Sequence, residues 1–129
     1  MSEKTQQRLA NLARALDRLD EALAVPPDAP LAVDGTVQRF EFTFELAWKT
    51  AKAALEDEGV ATRTPREALR EAIRAGWLAD ERAWLEMFDD RTLSSHVDSE
   101  EVAAEIYARI RTNAPALRAL YTVLAARTA

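Results

Sequence analysis

The stretch that decides the fold of this chain is Arg39-Phe40-Glu41-Phe42-Thr43-Phe44-Glu45-Leu46-Ala47-Trp48-Lys49. Its first residues alternate between apolar and polar side chains, which by itself is the pattern of a half-buried strand. A longer apolar pattern with helical spacing contains this stretch and accounts for more residues, namely Val37, Phe40, Phe44, Ala47, Ala51 and Leu55. We therefore predict a helix, on which Phe42 and Leu46 form a second apolar face. Such a helix lies at the centre of a bundle or is covered by a second subunit.

Similar periodic segments, separated by short connections, divide the whole chain into helices. The predicted helices are at about 3–24, 34–58, 65–75, 80–96 and 99–127. Short connections place successive helices antiparallel to each other, and a length of 129 residues fits one domain. We therefore expect an all-α, antiparallel bundle of four or five helices that forms a single domain over residues 1–129.

Local start and stop signals set the predicted helix boundaries. Asp34 is a good N-cap for the second helix, and Gly59 ends it. The segment Thr64-Pro65-Arg66-Glu67 opens the third helix with a capping box and a proline in its first turn. Asp98 is expected to cap the fifth helix, and Pro115 is expected to kink that helix or restart it.

Composition excludes several classes of function. The chain has no cysteine, so disulfides, thiolate nucleophiles and cysteine-based zinc sites are excluded. It has no glycine-rich phosphate loop and no metal-ligand motif, so we expect no cofactor and no bound metal. A net charge of -5 argues against broad binding to nucleic-acid backbones, although a local cationic site is compatible with it. No segment has a signal peptide or a span of apolar residues, so we expect a cytoplasmic protein with no membrane partner.

The segment Asp89-Asp90-Arg91-Thr92-Leu93-Ser94-Ser95-His96 contains the only histidine of the chain. In a helix, Arg91 and His96 would be separated by about 140° of rotation and about 7.5 Å along the axis. They would flank an apolar stripe that runs through Trp84, Leu85 and Phe88 to Thr92, with Ser95 near its centre. A stripe that begins apolar and ends polar, between a cation and an imidazole, favours a cleft over a sealed core.

Arg91 and His96 are therefore the catalytic candidates, and the weaker binding candidates are Asp90, Thr92, Ser95 and Trp84. The alternative interpretation is structural. A histidine near a helix C-terminus is a favourable charge on the helix dipole. Arg91 would then pair with Glu86 or with an acidic residue on another helix. Asp89 and Asp90 would either orient Arg91 or occupy the solvent face, and we expect the solvent face.

Three arginines, Arg66, Arg70 and Arg74, follow each other at four-residue steps on the third predicted helix. This stripe would suit a phosphate backbone. Glu67 and Glu71 lie between the arginines, and such a pattern is more often a salt-bridged, solvated face.

Four segments together resemble the nucleotidyltransferase substrate-binding protein family, a branch of the HEPN superfamily of helical bundles. They are Arg39 to Lys49, Thr64-Pro65-Arg66-Glu67, Trp84-Leu85-Glu86-Met87, and Asp90-Arg91-Thr92-Leu93-Ser94-Ser95-His96. The resemblance extends from about Arg8 to Leu124, nearly the whole chain.

The resemblance implies a homodimer that works beside a small nucleotidyltransferase of the MNT type, in many cases as a toxin-antitoxin pair. In active HEPN ribonucleases, the Arg-x4-6-His motifs of two protomers meet at the dimer interface and cut RNA without metal, which would give Arg91 and His96 that role here. An imidazole can give or take a proton, and a guanidinium can stabilise phosphorane charge. Many relatives carry a tyrosine two positions after the histidine, which their partner modifies with AMP. This chain has Asp98 there, so that modification is impossible.

Three functions therefore stay open from the sequence. The chain is a substrate- or nucleotide-binding subunit of a nucleotidyltransferase, a metal-independent ribonuclease that cuts RNA at a dimeric site, or a structural bundle with a vestigial motif. The acidic charge and the single histidine favour the first, and the pairing of Arg91 with His96 favours the second.

Overall fold

The computed structural model describes residues 1–127 of the chain, and within them every regular element is a helix. The five helices are α1 (Glu3–Ala24), α2 (Ala32–Asp57), α3 (Pro65–Arg74), α4 (Glu81–Ser94) and α5 (Glu100–Ala126). The prediction of an all-α fold is confirmed, and the stretch that resembles a strand lies inside α2. No helix of this described part is long and apolar enough to cross a membrane.

A heptad-spaced row of threonines shows how α1 and α2 pack. The hydroxyl oxygens of Thr36, Thr43 and Thr50 on α2 lie 3.4–3.5 Å from the backbone carbonyls of Ala22, Ala15 and Arg8 on α1. Thr43 and Thr50 donate their protons mainly to carbonyls of α2 itself, four residues earlier, over 2.7 and 2.6 Å. Each step of seven residues along α2 matches a step of seven backwards along α1, so the two helices are antiparallel. A seven-residue repeat is the seam spacing of closely packed, slightly supercoiled helices.

Helix α2 is the centre of the fold, which is one of the two alternatives that its apolar pattern predicts, because it contacts each of the other four helices. Its Phe40 and Phe44 are fully buried, and the Phe44 ring lies 6.0 Å from that of Trp84 on α4. The second apolar face is only partly covered, since Phe42 keeps 56% of its surface exposed. Leu46, the other residue of this face, is half-buried, so the exposed part of the face is at Phe42.

The start of α2 differs from the sequence prediction. The helix begins at Ala32, two residues before Asp34, and its N-cap is Leu31 in the left-handed conformation, with φ 66° and no side-chain cap. Leucine is neither a capping residue nor one that favours positive φ. The local sequence therefore does not signal this boundary. Asp34 lies in the first turn instead, where its charge favours the helix dipole.

The fifth helix also corrects two predictions. Its N-cap is Ser99, whose hydroxyl accepts from the backbone N–H of Val102, and not Asp98. Serine and aspartate are equally good caps, so residue type does not separate the two neighbours. Pro115 does not interrupt the helix, which is continuous through it. The buried residues Leu117, Leu120 and Leu124 on the far side of Pro115 pack in the core and hold the helix together there.

Candidate functional site

The face that α4 presents to the core is rotated from the one its apolar residues predict. The buried positions are Ala83, Trp84, Met87 and Asp90, while Leu85 keeps 55% of its surface exposed. The sequence-based stripe was wrong because the core-facing position at the end of the helix is an aspartate. Apolar periodicity cannot detect a charged residue that is buried with a partner.

That partner is Arg109 on α5. Its Nε lies 3.0 Å from both carboxylate oxygens of Asp90, and its Nη2 lies 2.9 Å from one of them. The hydrogen bond with Asp90 raises the pKa of Arg109 above its ordinary value. The expectation that Asp90 faces solvent was therefore wrong, and Asp90 joins α4 to α5.

The end of α4 gives a further correction. The helix stops at Ser94, so His96 lies beyond it, in a turn closed by a 2.9 Å bond from the His96 N–H to the Leu93 carbonyl. His96 is exposed. Ser95, His96 and Asp98 are polar and exposed, so they give no core contacts that would extend the helix. Val97 packs against the core only after the chain has left the helix. The helical geometry expected between Arg91 and His96 therefore does not apply.

The structure nevertheless brings these two residues to one cleft of about 310 Å³. The lining residues, which we call the cleft, are Phe44, Glu45, Trp48, Pro65, Phe88, Arg91, Thr92, Ser95 and His96. Of the six residues selected from the sequence, Arg91, Thr92, Ser95 and His96 lie here. Trp84 is 1% exposed and belongs to the core, and Asp90 is turned toward α5, so neither lines the cleft.

Arg91 is held at the cleft by two glutamates of α2. Its Nε donates to Glu45 over 3.2 Å, and its Nη1 donates to Glu41 over 3.2 Å and to the Ser95 hydroxyl over 3.1 Å. The Ser94 hydroxyl donates to the same Glu41 oxygen over 2.9 Å. The structural alternative named two possible partners for Arg91, Glu86 or an acidic residue on another helix. The structure shows the second of these. Glu86 bonds Arg82 and Asn113 instead.

Glu41, Glu45 and Trp48 are site residues that sequence reasoning missed. The two glutamates are four residues apart on one face of α2, and the indole Nε1 of Trp48 donates to Glu45 over 3.0 Å. The sequence does contain a signal for the two glutamates, because a helix that is apolar on two sides leaves few positions for charged residues. It does not reveal their partner Arg91, which lies 46 residues from Glu45 along the chain.

Arg91 is a cation that becomes available to a ligand when its present partners are displaced. Two carboxylates surround one guanidinium, and the three side chains are each about one third exposed. An entering phosphate must displace at least one carboxylate from Arg91, after which the freed guanidinium can bind two phosphate oxygens. Thr92 is less available, because its hydroxyl donates to the Phe88 carbonyl. Within residues 1–127, no three His, Cys, Asp or Glu side chains are grouped to hold a metal.

Solved structures share this architecture. A crystal structure of a protein from Thermus thermophilus aligns with a TM-score of 0.78 and 36% identity, over 84% of this chain and 94% of that one. A protein from Haemophilus influenzae aligns with a TM-score of 0.79 and 26% identity, over 90% of this chain and 98% of that one. Its structure is described as revealing the fold of a substrate-binding domain of a nucleotidyltransferase.

Sequence comparisons agree with the structural ones. A Haemophilus influenzae protein named "Probable ribonuclease HepT" is 34% identical over 83 residues, which cover 60% of this chain and 57% of that protein. The match therefore spans less than two thirds of the relative. Residues 7–126 match the family described as "Nucleotidyltransferase substrate binding protein like". Since this match covers nearly the whole sequence, the chain belongs to that family.

Proposed function

We propose that this chain is the substrate-binding subunit of a nucleotidyltransferase, and that its cleft binds a phosphate-bearing substrate such as a nucleotide. One observation carries the proposal. Arg91 and His96 line the same cleft as the half-buried rings of Trp48 and Phe88. A cation and an imidazole suit a phosphate, and aromatic walls suit a base.

The size of the cleft and the orientation of Arg91 support this assignment. Its volume of about 310 Å³ is at the lower end of ordinary small-molecule sites. The carboxylates of Glu41 and Glu45 keep Arg91 oriented before the substrate arrives. The partnership is supported by family membership and by the Haemophilus influenzae structure, which is described as a substrate-binding domain of a nucleotidyltransferase. It is tested by whether a nucleotidyltransferase is encoded beside this gene and co-elutes with the purified chain.

Trp48 offers a direct test of ligand binding, because it lies in the cleft whereas Trp77 and Trp84 are buried. Titration with AMP or ATP should change the tryptophan fluorescence. The change should be lost in Trp48→Phe, which identifies the reporter, and in Arg91→Ala, which removes the cation. Arg82→Ala is the matched control, since this exposed arginine lies on α4 away from the cleft. A response that survives Arg91→Ala would contradict the proposal.

A second candidate function, a metal-independent ribonuclease, is favoured by the exposure of His96 beside Arg91 and by the name of the HepT relative. Histidine would take the proton of a ribose 2′-hydroxyl, whose oxygen attacks the adjacent phosphorus. The bond to the 5′-oxygen then breaks, and a second histidine protonates that leaving oxygen. Arg91 would stabilise the charge of the phosphorane. The products are a 2′,3′-cyclic phosphate and a 5′-hydroxyl.

The need for two histidines requires a second copy of the chain, which has only His96. An isologous homodimer supplies two copies of each site residue in one place. The exposed Phe42 on α2 is the candidate contact, and Phe42→Glu should give a monomer by light scattering. If the Phe42→Glu protein is still dimeric, the interface lies elsewhere on the molecule.

Cleavage is tested by incubating RNA with the purified chain in EDTA. Cutting that is lost in both His96→Ala and Arg91→Ala, with the oligomeric state unchanged, would establish the ribonuclease. If the RNA is not cut, or if cutting survives both substitutions, the binding subunit is the better account of the function. If nucleotide binding also fails, the structural bundle with a vestigial motif remains.

A further inference from the structure

A groove between α3 and α4 adjoins the cleft and contains three arginines that the proposed function does not use. Its volume is about 530 Å³. We call it the arginine groove; its lining residues are Arg66, Leu69, Arg70, Ile73, Arg74, Glu81, Leu85, Phe88 and Asp89. In a chain with a net charge of -5, three arginines along one wall form a local cationic surface.

The arginines of this wall are only partly neutralised. Arg74 pairs with Glu71 over 3.0 Å, as expected for a salt-bridged face. The guanidinium of Arg66 instead lies 5.1 Å from the centre of the Phe88 ring. Within residues 1–127, the exposed guanidinium of Arg70 has no hydrogen-bond or ion-pair partner. The salt-bridged interpretation of this stripe therefore holds only for Arg74.

The arginine groove continues directly from the cleft. Phe88 lines both, and Pro65, which precedes Arg66, lines the cleft. From Arg66 to Arg74 the wall extends about 12 Å along α3. The cleft and the arginine groove thus form one path, which begins at Arg91 and leads away from His96. Arginines follow it at regular steps, and aromatic rings lie at one end.

We propose that the arginine groove holds the strand of a single-stranded RNA that continues out of the cleft. This inference rests on the proposed function, because it requires that the cleft takes one phosphate of the substrate. Single-strand sites combine a cationic groove along the backbone with surfaces on which bases stack. Here the phosphates lie along α3, beside the unpaired Arg70.

The opposite wall explains the orientation of the strand. Glu81 and Asp89 on α4 repel phosphates and keep the backbone on the α3 side. Leu85, which is 55% exposed, and Phe88 offer the bases an apolar surface on that wall. An acidic protein segment is the competing occupant, since it would use the same arginines, and the test below separates the two.

The test measures binding of a labelled oligouridine of about 12 nucleotides, within the size range of single-strand modules. All proteins carry His96→Ala, so that the RNA stays intact and affinity is measured independently of cleavage. Arg70→Ala is the informative variant, because Arg70 has no partner whose loss would disturb the fold. Arg18→Ala is its matched control, an exposed arginine on α1 that pairs with Glu21.

Arg70→Ala should weaken binding about three- to tenfold and lower the slope of log affinity against log salt by about 0.7, the loss of one phosphate contact. Arg18→Ala should change neither quantity. Glu81→Gln with Asp89→Asn should tighten binding, an opposite sign that general unfolding cannot produce.

Equal losses in Arg70→Ala and Arg18→Ala would overturn the proposal, because they would indicate a non-specific charge effect. The absence of oligouridine binding at low salt would also overturn it and leave an acidic protein segment as the occupant. The proposed function fails separately. Oligouridine binding that depends on Arg70, in a chain whose native form gives no Trp48 response to AMP, would remove the nucleotide site and keep the groove. A Trp48 response to AMP together with an oligouridine affinity that Arg70→Ala leaves unchanged would keep the nucleotide site and remove the groove.

Discussion

Asp90 and Arg91 are neighbours in sequence, and both form ion pairs, but they belong to different regions of the molecule. Asp90 faces α5, is 4% exposed, and is bonded by Arg109 through two nitrogens. Arg91 faces α2, is about one third exposed, and is shared between two carboxylates and a hydroxyl. The first region joins two helices, whereas the second borders an open cleft.

The comparison shows that an ion pair affects stability differently when it is buried and when it is half exposed. A buried carboxylate that loses its partner keeps its desolvation cost, so the Asp90–Arg109 pair is needed for stability. An ion pair at a half-open surface contributes little to stability, because water can replace either partner. The Arg91 cluster can therefore exchange its carboxylates for a phosphate, and the Asp90 pair cannot.

The largest expected effect is on function, at Arg91. Arg91→Ala should weaken phosphate-dependent binding by at least about tenfold, the loss of a charged hydrogen bond, and should lower any cleavage rate by about 100-fold, the usual loss when one donor to developing charge is removed. The free energy of unfolding should fall by less than about 1 kcal/mol. Activity assays and urea denaturation on the same protein measure both. A large loss of stability would break the comparison, because Arg91 would then be structural like its neighbour.

The next effect is on stability, at Asp90. Asp90→Asn should lower the free energy of unfolding by about 2 kcal/mol, less than for a fully buried pair because the side chain of Arg109 is 35% exposed. Urea denaturation measures this difference. Asp89→Asn is the matched control, an exposed neighbour on the same helix, and should stay within about 0.5 kcal/mol of the native protein. Equal effects of the two substitutions would show that the buried pair has no special role.

The smallest effect is a gain of affinity at the glutamates around Arg91. Glu41→Gln with Glu45→Gln should tighten the binding of AMP several-fold, because the phosphate no longer has to displace a carboxylate from the guanidinium. Isothermal titration calorimetry measures the change. In an Arg91→Ala background, the double substitution should not restore the binding that Arg91 provides. Weaker binding in the double variant would mean that orientation of Arg91 by the carboxylates outweighs their competition with the ligand.

Most of the fold follows from the sequence because it depends on local signals. The bounds of α1 agree with the prediction, since Ser2 caps one end and Val25 and the prolines after it stop the other. The same reasoning identified α3, whose N-cap Thr64 and first-turn Pro65 lie where they were expected. The central place of α2 follows from its two apolar faces.

The site was only partly predictable, because tertiary partners decide its arrangement. Arg91 and His96 were found as chemically suitable neighbours, but their geometry was derived from a helix that ends before His96. Asp90 was placed in solvent because nothing near it in sequence reveals Arg109. Glu41 and Glu45 were visible only as charges on α2, and the contact with Arg91 across the bundle gives them their role.

The left-handed Leu31 at the start of α2 has a consequence for protein engineering. With 79% of its surface exposed, it places a large apolar side chain in water, in a left-handed conformation that most residues with a β-carbon disfavour. Leu31→Asn would introduce a side chain that tolerates this conformation and is a preferred N-cap. The substitution should raise solubility and thermal tolerance together, which would make the Leu31→Asn chain a better starting material for crystallisation.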